Sequence, residues 1–91
     1  MQIRWSPEAA DDLERIVQHI QKDNPEAART VAETIYEGAS SLKTFPNRGR
    51  IGRHRGSREL IFEPYILVYR VSGEFVEISR VYHAAQDRSS E

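Results

Sequence analysis

The stretch from Arg58 to His83, R-E-L-I-F-E-P-Y-I-L-V-Y-R-V-S-G-E-F-V-E-I-S-R-V-Y-H, decides the fold class. β-Branched and aromatic residues recur in short runs broken by turn signals, which predicts three strands. The first is Arg58 to Glu63, the second Ile66 to Ser72 and the third Phe75 to His83, with turns at Pro64-Tyr65 and Gly73-Glu74. Links this short join neighbouring strands as an antiparallel meander. Alternation assigns Leu60, Phe62, Leu67, Tyr69, Val71, Val76 and Ile78 to a covered face, and Glu59, Glu63, Arg70, Glu77 and Ser79 to the other. The pattern breaks at Arg80, which has the parity of Ile78. Either a bulge intervenes or the cover ends there.

Upstream of these strands, Asn47 to Ser57 reads N-R-G-R-I-G-R-H-R-G-S, a glycine-broken loop holding four arginines and His54. Before it come two helix signals. Ser6-Pro7-Glu8 and Asn24-Pro25-Glu26 each place a capping side chain ahead of a proline and an acid. Ala9, Leu13, Ile16, Val17 and Ile20 give the first helix an apolar stripe, ending near Lys22. Ala28, Val31, Ala32, Ile35, Ala39 and Leu42 give the second its stripe, with Phe45-Pro46 as its stop. The Asp23-Asn24 link is short, so the helices form an antiparallel hairpin. Ile3 to Trp5 is a short leading strand.

The expected fold is therefore α+β: an N-terminal strand, then an antiparallel helix hairpin packed on one face of a small, mainly antiparallel sheet. Its other face is open, and the polar tail after Ala85 is expected to fray. At 91 residues the chain forms one domain, 1–91. A hydrophobic share of 38% and a charged share of 30% place it among globular chains. The absence of cysteine excludes disulfides, thiolate nucleophiles and zinc–thiolate sites. No signal-peptide core or membrane-length apolar run occurs, so a cytoplasmic location and no membrane partner are expected.

The net charge of −1 hides an asymmetry. Up to Asn47 there are five basic and eight acidic residues; from Arg48 on there are eight arginines and six acids. Arginine offers a permanently charged fork suited to phosphate or carboxylate. Arg50, Arg53, Arg55 and Arg58 lie in or beside the loop, Arg70 and Arg80 lie in the strands, and Tyr82-His83 ends the last strand. Together they make a candidate RNA- or partner-binding surface. Arginines would hold phosphates, Tyr82 would stack on a base and His83 would transfer a proton. RNA cleavage by a neighbouring 2′-hydroxyl needs positioning, proton transfer and charge stabilisation, and no metal or other cofactor is called for. The plainer readings are that Arg70 pairs with Glu63 or Glu77 across strands, that Tyr82 is core, that His83 caps the sheet edge and that His19 is a surface residue. The three histidines look scattered, and no metal-binding pair, phosphate loop or nucleophile elbow is present.

Several segments resemble the toxins of the RelE/ParE superfamily of bacterial type II toxin–antitoxin systems. They are W-S-P-E-A-A-D-D-L-E-R-I (Trp5 to Ile16), N-P-E-A-A (Asn24 to Ala28), F-P-N-R-G-R (Phe45 to Arg50), R-E-L (Arg58 to Leu60), Y-I-L-V-Y-R-V (Tyr65 to Val71) and R-V-Y-H (Arg80 to His83). The resemblance runs in order along nearly the whole chain. It implies a plasmid-stabilisation type of toxin that inhibits growth and is neutralised by a cognate antitoxin. ParE-like members inhibit DNA gyrase; RelE-like members are ribosome-dependent mRNA interferases. RelE-like nucleases carry a functional arginine shortly before the turn into the Y-x-L-V-Y strand, and a catalytic tyrosine in the tail. Here the first position reads Leu60-Ile61-Phe62-Glu63 and the tail has no tyrosine. These departures favour the ParE-like activity. Under the nuclease alternative, the catalytic residues would be His83, Arg80 and Arg58, with Arg50, Arg53, Arg55, Arg70 and Tyr82 binding RNA or a partner.

Overall fold

The computed structural model describes residues 1–85. The chain runs β1 (Gln2–Trp5), α1 (Pro7–Gln21), α2 (Pro25–Ser41), β2 (Arg50–Ile51), β3 (Ser57–Phe62), β4 (Tyr65–Ser72) and β5 (Phe75–His83). The sheet order is β1-β5-β4-β3-β2. The last four strands pair antiparallel, as the short links require. β1 pairs with β5 in parallel, with Ile3 opposite Val76 and Trp5 opposite Ile78. The two helices and the three strands β2 to β4 lie between them in the chain and supply the long connection that a parallel pair needs.

Both helix starts form as their sequences dictate. The Ser6 side chain accepts from the Ala9 N–H at 3.0 Å, and the Asn24 Oδ1 accepts from the Ala27 N–H at 3.1 Å. Each cap is followed by proline in the first turn, where a missing N–H costs nothing. The second helix ends at Ser41, earlier than its proline stop, and residues 42–44 continue as turn.

The core joins Ala9 and Leu13 of α1, Ile35 and Ala39 of α2, Leu42, and the strand residues Leu60, Leu67, Tyr69, Val76, Ile78 and Val81. Trp5, Ile16, Val17, Val31 and Phe62 pack around it. Gly38 makes room for this arrangement: a Cβ there would collide with the Phe62 ring.

Three strand expectations change. The glycine-rich loop contains β2, because Arg50 and Ile51 pair with Glu59 and Arg58. Val71 is 38% exposed instead of covered, since β3 begins opposite Arg70 and leaves Val71 paired only on its β5 side, with Val76. The face away from the helices is not uniformly open. Ile66 and Val68, out of phase with Leu67 and Tyr69, are also buried, and so is Glu59. The expected fraying of the tail lies outside the described residues.

Candidate functional site

The site starts from the break in alternation. Tyr69 pairs with Ile78 and Val68 pairs with Arg80, so Ser79 is the extra residue of a β-bulge. The bulge restores Val81 to the core and brings the Arg80 side chain to α1. The start of α1 pins it in place. The Ser6 N–H donates to the Ile78 carbonyl at 3.0 Å, and the Ser6 hydroxyl donates to the Ser79 carbonyl at 3.0 Å.

Asp12 completes the attachment. Its carboxylate is 6% exposed and accepts four hydrogen bonds. Arg80 gives two, Nε to Oδ2 at 2.7 Å and Nη2 to Oδ1 at 3.1 Å. The Val81 N–H gives a third at 3.0 Å, and Arg15 Nη2 a fourth at 3.1 Å. Burial alone would push the Asp12 carboxyl up. The Arg80 and Val81 hydrogen bonds, the Arg80 charge and the Arg15 hydrogen bond outweigh it and hold the group below the usual carboxylate range. The Asp12 hydrogen bond raises Arg80 from its ordinary value.

Beside this attachment lies a recess between α1, the loop and the ends of β4 and β5. Arg80, Tyr82 and His83 line it, as the sequence suggests for a shared surface, and His54 joins them from the loop. Asp12, Arg15, Ile16 and His19 form the α1 wall, and Tyr65 and Val68 come from β4. Tyr65 meets His83 edge-on, with ring centroids 5.6 Å apart, and the His83 Nδ1 accepts from the Ala85 N–H at 3.1 Å. Tyr82 and His83 are half-buried; His19 is a surface residue, as expected.

The other candidate arginines do not converge on this recess. Arg50 donates twice to Glu59 Oε1, at 3.0 and 2.9 Å, and so neutralises a buried carboxylate. Arg58 Nη1 donates to the Gly49 carbonyl at 2.7 Å and to the Asn47 carbonyl at 3.4 Å. Arg70 donates to the Arg55 carbonyl, where a cross-strand pair with Glu63 or Glu77 was the simple expectation. Arg53 and Arg55 are exposed on the same loop as His54. Tyr69 adds a further tie: its hydroxyl accepts from the Gly49 N–H at 2.9 Å and donates to the Pro46 carbonyl at 2.7 Å. Three of the arginines thus order the loop by satisfying its carbonyls and one acid.

Asp12, Arg15, His19 and Tyr65 are recess residues that the sequence reading did not single out. A signal existed for Asp12. It stands three residues after Ala9 and four before Ile16, on the flank of the apolar stripe. Among the described residues, no three His, Asp or Glu side chains come together as metal ligands.

The profile described as "ParE toxin of type II toxin-antitoxin system, parDE" matches residues 3–88. This chain belongs to the ParE toxin family. Y4kP of Sinorhizobium fredii, named as a candidate toxin, is 42% identical over 86 residues, covering 92% of this chain and 88% of that protein. Toxin RelE2 of Caulobacter vibrioides is 33% identical, covering 93% of this chain and 97% of that one. Among solved structures, the chromosomal ParDE system of P. aeruginosa superposes with a TM-score of 0.83 at 31% identity, covering 91% of this chain and 95% of that chain. The RelBE2 toxin–antitoxin complex of Mycobacterium tuberculosis gives 0.60 at 28% identity, covering 90% and 95%. The family assignment agrees with the resemblance read from the motifs, and the strand–hairpin–sheet architecture is that of these toxins. Among the described residues, no helix is long and apolar enough to cross a membrane.

Proposed function

We infer that this type II toxin acts in the cytoplasm, is neutralised by a cognate antitoxin, and stops growth by binding DNA gyrase instead of cutting RNA. Solved neighbours that pair a toxin with its antitoxin support the partner. The ParE family match supports the target class. The observation that carries the activity is the commitment of the would-be catalytic arginines. Metal-free RNA cleavage needs a cation aimed at the phosphorane that forms. Arg80 is held by the Asp12 carboxylate through two donors, and Arg58 is spent on the Gly49 and Asn47 carbonyls. His83 has no uncommitted guanidinium assembled beside it from these two. Such a surface inhibits by occupancy, with the exposed loop that carries Arg55 as a contact.

The nuclease alternative retains one specific support: a relative named RelE2 is 33% identical. It would use His83, Arg80 and Arg58 on messenger RNA at the ribosome. Pulse labelling of DNA and protein synthesis just after induction separates the two. The gyrase reading expects DNA synthesis to fall first while translation continues, and expects rescue by the antitoxin. An immediate fall in protein synthesis, with cut messenger RNA, would overturn it.

A further inference from the structure

The sheet has an edge at β1, with no strand beyond it among the described residues. The Gln2 N–H donates to the Glu74 carbonyl at 2.9 Å, and the Ser6 N–H donates to the Ile78 carbonyl at 3.0 Å. Alternate residues of a ladder bond to the same neighbour, so the even-numbered residues of β1 face β5. The N–H and C=O groups of Ile3 and Trp5, and the Met1 carbonyl, therefore point outward, as a template for another strand. We propose that this edge pairs with the same edge of a second copy of the chain, antiparallel across a two-fold axis. The two sheets then form one continuous sheet, whichever target the toxin has.

Charge and parity select the register. Outward-facing residues must stand opposite one another. Setting Ile3 opposite the second copy's Trp5 puts Arg4 directly opposite Arg4, and like charges there repel. Setting Ile3 opposite Met1 overlaps Met1 to Ile3 only. Setting Ile3 opposite Ile3 avoids both faults. Ile3 then exchanges both of its backbone bonds with its copy, and each Trp5 N–H reaches the Met1 carbonyl of the other chain.

The side chains are self-complementary in this register. On the helix side, Met1 of each copy stands opposite Trp5 of the other, with the two Ile3 side chains between them. Met1 is 42% exposed, and Tyr36, 58% exposed, widens the apolar strip by stacking on Trp5 with ring centroids 5.2 Å apart. A flexible thioether packs well against such rings. On the open face, Gln2 of each copy stands opposite Arg4 of the other, and the Gln2 amide oxygen can accept from the guanidinium. Arg4 is already laid along that face, 4.0 Å over the Phe75 ring. The opposite edge is a poorer mate. β2 has only Arg50 and Ile51, and head-to-tail pairing of β1 on β2 leaves an open chain of copies, whereas β1 on β1 closes as a dimer. The loop before β3 lies towards the opposite edge and stays accessible in both copies.

The test is sedimentation velocity of the full, untagged chain from about 1 µM to about 500 µM, since a contact this small gives a weak dimer. Monomer should pass to dimer within that range. Gln2 is exposed, so its substitutions leave the fold intact. Gln2→Glu sets a carboxylate opposite Arg4 twice per dimer and should tighten association about fivefold. Gln2→Arg sets like charges opposite each other and should weaken it about fivefold. Hydrogen exchange locates the contact: the Ile3 and Trp5 amides should slow as concentration rises. The proposal is overturned if the chain stays monomeric throughout, if it dimerises while these two amides exchange freely, or if the two Gln2 variants associate equally. Protection of these amides by the antitoxin alone would give the edge to that partner and overturn it too.

Discussion

Replacing Asp12 by alanine tests the attachment that shapes the recess. The substitution removes the acceptor of four hydrogen bonds at once. The Val81 N–H, which is buried, loses its partner, at a cost of about 1–3 kcal/mol. Breaking a buried ion pair costs about 3–5 kcal/mol, but the Arg80 side chain is 53% exposed and can regain water, so the ionic share is smaller here. A total loss of about 2–4 kcal/mol follows. At about 4–8 °C per kcal/mol for a domain of this size, Tm should drop by about 8–32 °C. Asp12→Asn keeps an acceptor for Val81 and loses the charge, so its loss should be about half as large. The pH dependence has a definite sign. Asp12 is depressed in the folded state, so the unfolded chain binds the proton more readily. Its contribution is complete above the unfolded value of about 3.9 and disappears as pH falls through the depressed folded value. Thermal melts followed by circular dichroism at neutral pH and down through this acid range give both readouts. An Asp12→Ala variant that melts within about 2 °C of the parent, or that keeps the parent's full acid sensitivity, would refute the reasoning.

Other substitutions probe separate parts of the fold. Gly38→Ala should destabilise by about 1–2 kcal/mol despite the better helix propensity of alanine, because its methyl meets the Phe62 ring; denaturant melts should show the penalty vanish in a Phe62→Leu background. Tyr69→Phe leaves the Gly49 N–H and the Pro46 carbonyl without their hydroxyl, and should cost about 1–3 kcal/mol with faster amide exchange at Gly49. Arg50→Ala leaves the buried Glu59 unpaired and should cost about 1–2 kcal/mol by the same melts, with Arg50→Ala combined with Glu59→Gln recovering part of the loss.

The sequence carries local structure well where one residue has one job. The Ser6-Pro7 and Asn24-Pro25 signals mark helix starts because the cap and the missing N–H are properties of adjacent residues. The parity of Arg80 with Ile78 marks a break that either a bulge or the end of the cover would explain, because alternation is a rule with period two, and the structure has the bulge, at Ser79. The short strand β2 is not legible, since Arg50 and Ile51 are ordered by pairing with β3 and not by propensity. The fate of the arginines is equally hidden. Nothing near Arg80 in the chain says that it meets Asp12, sixty-eight residues earlier, and nothing near Arg58 says that it meets loop carbonyls. Charge counts register these residues as available cations, while the fold uses Arg50, Arg58, Arg70 and Arg80 internally. The histidines look scattered for the same reason: only the helix, loop and sheet end together place His19, His54 and His83 around one recess.

The most direct test of gyrase inhibition uses purified components. Relaxed plasmid, gyrase and ATP are incubated with increasing amounts of the toxin, with and without its antitoxin, and the products are resolved by supercoiling. The account predicts dose-dependent loss of supercoiling that the antitoxin prevents. Undiminished supercoiling at toxin in large excess, together with cleavage of messenger RNA on translating ribosomes, would contradict it.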